Sequence, residues 1–119
     1  MKPEQVAALA AKSAQDKQAE EVVILNMQEL PPMTDYFVIC TANNNLHQKA
    51  VRDEILARTK EAGIKLRHRE GGDGARWVLL DYGDVVVHIF QRAEREFYAL
   101  ERLWGDAPRL GDKDASAGK

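Results

Sequence analysis

A chain of 119 residues with 45% hydrophobic side chains fits one domain around one core and needs no covalent staple to fold. Its 17 basic and 19 acidic residues leave a net charge of −2, which argues against a general nucleic-acid binder and leaves room for docking on a basic protein surface. Cys40 is the lone cysteine, so an internal disulfide is excluded; with no membrane-length apolar run and no signal-peptide core, a reducing cytoplasm is the expected compartment.

In chain order, Pro3 to about Gln18 predicts a helix: Pro sits in the first turn, and Val6, Leu9, Ala10, Ser13 and Ala14 share one face. Glu21 to Met27 is short and β-branched and reads as a buried strand. Pro31-Pro32 break it, and Tyr36 to Thr41 is a second strand. Asn43-Asn44-Asn45 offers an N-cap to a helix that runs to about Ala62, with Val51, Ile55 and Ala62 as its inward stripe beside Ala50 and Gly63 as its C′ residue. Ile64 to Arg69 alternates apolar with charged, the pattern of a half-exposed edge strand, and Glu70-Gly71-Gly72-Asp73-Gly74 is a loop.

Arg76 to Phe90, RWVLLDYGDVVVHIF, predicts a β-hairpin in which Gly83 supplies the positive φ of a tight reversal. A Tyr82-Gly83 loop pairs Asp81 with Asp84, Leu80 with Val85, Val78 with Val87 and Trp77 with His88. Side chains alternate between faces, so Val78, Leu80, Val85, Val87 and Ile89 form an aliphatic face. Trp77, Leu79, Asp81, Val86 and His88 form the other, which carries an aromatic, an imidazole and an acid. Beyond it, Ala93, Phe97, Leu100 and Trp104 give a helix over Arg92 to Trp104 one apolar stripe, with Tyr98 at its rim. The whole reads as one α/β domain over 1–105, a mixed sheet of about five strands flanked by helices, with a flexible tail over 106–119.

No His, Cys, Asp or Glu grouping has metal-ligand spacing, and no metal or cofactor is expected. Asp81 and Asp84 bracket a turn, where a carboxylate bonds nearby backbone N–H groups. The glycines of 70–74 lead into a strand and lack the Lys-Ser/Thr of a phosphate cradle. His88 reads first as an imidazole packed on Trp77 and partly exposed. Trp77 reads equally as core and as interface, since tryptophan is enriched in both. Tyr98 and Glu101, one helical step apart, widen the patch or lie on a solvated helix face.

Several runs together resemble the ribosomal silencing factor family, also called Iojap-like. They are Thr34-Asp35-Tyr36-Phe37-Val38-Ile39, then Glu70-Gly71 ahead of Trp77-Val78-Leu79-Leu80-Asp81, then Tyr82-Gly83-Asp84-Val85-Val86-Val87-His88, and Arg95 to Trp104. The pattern departs at Ala42 to Asn45, where the family favours Gly or Ser. The resemblance implies a topology related to nucleotidyltransferases but no enzyme activity. It implies binding to the large ribosomal subunit through ribosomal protein fourteen, so that the small subunit cannot join and translation falls when nutrients are scarce. By the same resemblance Trp77, His88 and Tyr98 are the expected docking residues, with Asp81 and Glu101 as acids at the rim toward a basic partner. The competing expectation is a nucleotidyl- or phosphoryl-transfer enzyme using Asp35, Asp81 or Asp84 with Mg²⁺; a homodimer through the edge strand Ile64 to Arg69 is compatible with ribosome binding.

Overall fold

The computed structural model describes residues 1–27 and 34–92, in the order α1 (Pro3–Asp16), β1 (Glu20–Asn26), β2 (Tyr36–Ala42), α2 (Asn45–Glu61), β3 (His68–Glu70), β4 (Trp77–Asp81) and β5 (Val85–Gln91). The strands form one mixed sheet in the order β1-β2-β5-β4-β3. β2 and β5 run parallel at its centre, and the remaining neighbours are antiparallel. Flanked on both sides, β2 and β5 are buried almost end to end, which is why both read as continuous apolar runs. The expected helix over Arg92 to Trp104 and the tail over 106–119 lie outside the described residues, as do Pro31 and Pro32.

α1 and α2 pack together on one face of the sheet. Ala7, Ala10 and Ala14 have no exposed surface, so α1 lies close against Tyr36, Val38, Cys40, Val87 and Ile89. Asn44 caps α2, its Oδ1 accepting the His47 N–H at 2.8 Å as a short amide can. Gly63 follows the helix with φ +78°, the left-handed C′ geometry that glycine adopts without strain.

The inward stripe of α2 differs from the expected one. Val51 and Ile55 are buried, but Ala50 and Ala62 are exposed, and Gln48, Arg52 and Thr59 are the other buried positions. Each of these polar groups has a partner from elsewhere in the chain. Gln48 Nε2 donates to the Ile89 carbonyl at 3.0 Å, Arg52 donates to Asp73 at 2.9 Å, and the Thr59 hydroxyl meets the Tyr82 hydroxyl at 2.9 Å. Buried polar groups are tolerated when they are paired in this way.

Two strand expectations also need correction. Ile64 to Arg69 is not a strand throughout: β3 covers only His68–Glu70, while Ile64 and Leu66 turn inward and pack on the core. In the hairpin, Tyr82 is not a turn residue. Its N–H donates to the Val85 carbonyl at 2.8 Å, so Gly83 and Asp84 make the reversal and Trp77 pairs with Phe90, Leu79 with His88, and Asp81 with Val86. The cause is burial of the Tyr82 ring, 8% exposed, with its hydroxyl on Thr59. The displacement is two residues on the partner strand, so every side chain keeps its expected face. Gly83 holds φ +93°, and Asp81 Oδ1 accepts its N–H at 2.7 Å.

Candidate docking face

The second face of the sheet is built by alternation along each strand. One row crosses Val23, Ile39, His88, Leu79 and Glu70; the next crosses Leu25, Phe37, Val86, Asp81 and His68; Thr41, Phe90 and Trp77 make a third. Val23, Leu25, Met27, Ile39 and Phe90 form a buried apolar cluster, with Phe37 and Trp77 half-buried against it. Leu79, Asp81 and Val86 are half-buried too, and His68 and Glu70 on the edge strand are exposed, with His68 Nε2 2.8 Å from a Glu70 carboxylate oxygen. Among the described residues, the accessible part of this face is therefore a strip along β4 from Trp77 to Asp81, with Val86 and Phe37 beside it and Glu70 and Asp81 at its rim.

At the Trp77 end of this strip, Trp77 and His88 are brought together. The indole Nε1–H donates to His88 Nδ1 at 3.1 Å, and the ring centroids are 5.8 Å apart. Phe90 also packs on the indole, with centroids 4.9 Å apart, and Phe37 meets the imidazole edge-on at 4.6 Å. The Phe37 contact is the edge-to-face geometry that aromatic rings favour, while the two indole contacts are tilted. His88 is only 5% exposed, not the partly exposed ring that its sequence suggests, because β5 has β2 on one side and β4 on the other. Burial pushes its pKa down to about 4, so the ring is neutral at ordinary pH. Since Nδ1 accepts, the proton sits on Nε2, and Nε2 is buried without a hydrogen-bond partner among the described residues.

The other sequence-derived site residues are placed as follows. Asp81 shares the face with Trp77, and one of its carboxylate oxygens closes the turn onto Gly83. Tyr98 and Glu101 lie outside the described residues. Phe37 and Phe90 are not among the expected site residues, although strand alternation places Phe90 two positions beyond His88 on the same face. Of the acids in the enzyme expectation, Asp81 and Asp84 serve the turn. The Asp84 carbonyl accepts the N–H groups of Asp35 and Tyr36 at 2.8 and 3.0 Å, which ties the hairpin tip to the start of β2. Among the described residues no three His, Cys, Asp or Glu side chains are grouped as metal ligands would be. A cleft of about 200 Å³ between the start of α2 and the 72–74 loop carries Lys49 and Arg52, both within ion-pair distance of Asp73.

Comparison with known proteins gives this face its context. The family described as "Ribosomal silencing factor during starvation" matches residues 1–119. A relative named ribosomal silencing factor RsfS from Bacillus subtilis is 45% identical over 114 residues, covering 96% of each chain. The chloroplastic protein Iojap of Zea mays is 36% identical over 100 residues, 82% of this chain and 42% of that one. Among solved structures, a Chromobacterium violaceum protein superposes with a TM-score of 0.85 at 31% identity over 88% of each chain. A Bacillus halodurans protein does so with 0.78 at 41% identity, over 90% of this chain and 97% of the other. On sequence along its whole length and on fold, the chain belongs to the ribosomal silencing factor family.

Proposed function

We propose that this protein docks on the large ribosomal subunit through ribosomal protein fourteen and, by occupying the joining face, keeps the small subunit away. The observation that carries the reading is Trp77, a half-buried indole at one end of the half-buried β4 strip, where it donates a hydrogen bond to His88 and packs on Phe90. A large aromatic held in one orientation, with polar groups nearby at the rim, is the composition of an interface hot spot. Glu70 and Asp81 put negative charge on the rim, which suits a partner rich in Lys and Arg and speeds encounter. By the family resemblance, Tyr98 and Glu101 are further docking residues in this reading. A standard interface takes roughly 800 Å² from each partner. That is a small share of the 6970 Å² this chain exposes.

Steric exclusion needs no nucleophile, base or metal, and repression under nutrient shortage then follows from occupancy alone. The test is a joining assay. Separated ribosomal subunits are mixed under associating conditions, with and without excess protein, and resolved on a sucrose gradient. The expected result is a fall in joined ribosomes, with the protein in the large-subunit fraction. Undiminished joining while the protein occupies the large subunit contradicts the exclusion mechanism.

A further inference from the structure

His88 is the buried group that the docking reading leaves without a direct task. At 5% exposure it cannot touch a partner, and its Nε2–H is desolvated with no acceptor among the described residues. A phenylalanine would suit this site better on stability alone, because its surroundings are Phe37, Ile39, Leu79 and Phe90. Among the described residues, the polar contact of the imidazole is at Nδ1, with the indole of Trp77. Packing on Phe90 alone carries no donor–acceptor direction, and an acceptor at a fixed place selects the indole orientation that points Nε1–H at it. Ordering the indole before it meets a partner removes that entropy cost from binding.

We propose that His88 is the positioning residue of the docking face: its Nδ1 holds the Trp77 indole in the orientation that a partner meets. The inference rests on the docking reading and adds to it a buried residue that acts only through Trp77. It separates two properties that usually move together, because the side chain that weakens the core strengthens the interface.

The test compares the full-length wild type with His88→Phe and His88→Asn. Phenylalanine keeps a ring and removes the acceptor; the Asn amide oxygen stands near the position of Nδ1 and keeps an acceptor while losing the ring. Each is measured for thermal stability, for the Trp77 indole N–H resonance (assigned with Trp77→Phe), and for co-sedimentation with purified large subunits. His88→Phe is expected to be at least as stable as wild type, to shift the indole resonance upfield, and to bind about tenfold more weakly, the scale of one lost orienting hydrogen bond. His88→Asn is expected to be less stable, yet to keep the downfield resonance and bind, per folded molecule, closer to wild type than His88→Phe does. Wild-type affinity in His88→Phe, or equal losses in both variants, overturns the inference and leaves the docking reading standing. If the wild type itself does not sediment with large subunits, the docking reading fails and this inference falls with it.

Discussion

A β-carbon on Gly71 would lie 2.5 Å from the carbonyl oxygen of Trp77, well inside contact distance. The loop from β3 thus presses its backbone directly against the first residue of β4, and Gly71 also holds φ +86°. The Glu70-Gly71 pair just before the hairpin therefore has a mechanical reason. It lets the loop turn tightly under Trp77 and delivers that residue to its place on the sheet.

Gly71→Ala is accordingly expected to lose about 3 kcal/mol of stability, from a left-handed backbone strain and an overlap with backbone that cannot move aside. Gly72 is the internal control: a β-carbon there would meet no atom within 4 Å, and its φ is not positive. Gly72→Ala should be close to neutral in the same urea titration. Equal effects at the two positions contradict the close approach at Trp77.

Tyr82→Phe removes the hydroxyl that meets Thr59 at 2.9 Å. The Thr59 hydroxyl keeps its bonds to the Ile55 and Leu56 carbonyls, so no orphaned polar group is created. The expected loss is about 1 kcal/mol, the net worth of one buried hydrogen bond, measured by thermal or chemical unfolding. A loss several times larger would show that the hydroxyl pair holds the hairpin end to α2 more firmly than one hydrogen bond does.

Stability should fall with acid through His88. Its folded pKa, near 4, lies below an ordinary value of 6.5, so below 6.5 the unfolded chain takes up a proton that the folded chain refuses. Stability from this group is complete above pH 6.5 and is lost as pH falls toward 4, approaching about 3 kcal/mol at the low end. The paired carboxylates Asp16 and Asp73, held low by hydrogen bonds from Lys12 with Arg58 and from Arg52 respectively, add their losses only below about pH 3.8. Urea titrations at pH 7.5 and pH 4.5 measure the difference, and His88→Phe should abolish most of it. The same pH dependence in both proteins would assign the effect to other groups.

Much of this architecture is legible in the sequence, and the parts that are not have a common cause. Alternation places Trp77, Leu79, Asp81, Val86 and His88 on one face, and that survives a register displaced by two residues because parity is unchanged by an even shift. Periodicity says nothing about which strands become neighbours. The depth of His88 follows from β5 lying between β2 and β4, and the burial of Gln48, Arg52 and Thr59 follows from partners 41, 21 and 23 residues away. Gly83 reads as a turn residue, but the exact turn depends on Tyr82 finding Thr59. The family pattern marks Glu70-Gly71; the contact with Trp77 explains it.

Docking through the β4 strip is tested most directly by the affinity of Trp77→Ala for purified large ribosomal subunits, measured by co-sedimentation after circular dichroism confirms that the variant is folded. The expected result is a loss of at least ~2 kcal/mol, about thirtyfold in affinity, as when a hot-spot aromatic is truncated. A folded variant that binds within twofold of wild type would remove Trp77 from the docking surface and contradict the proposed docking face.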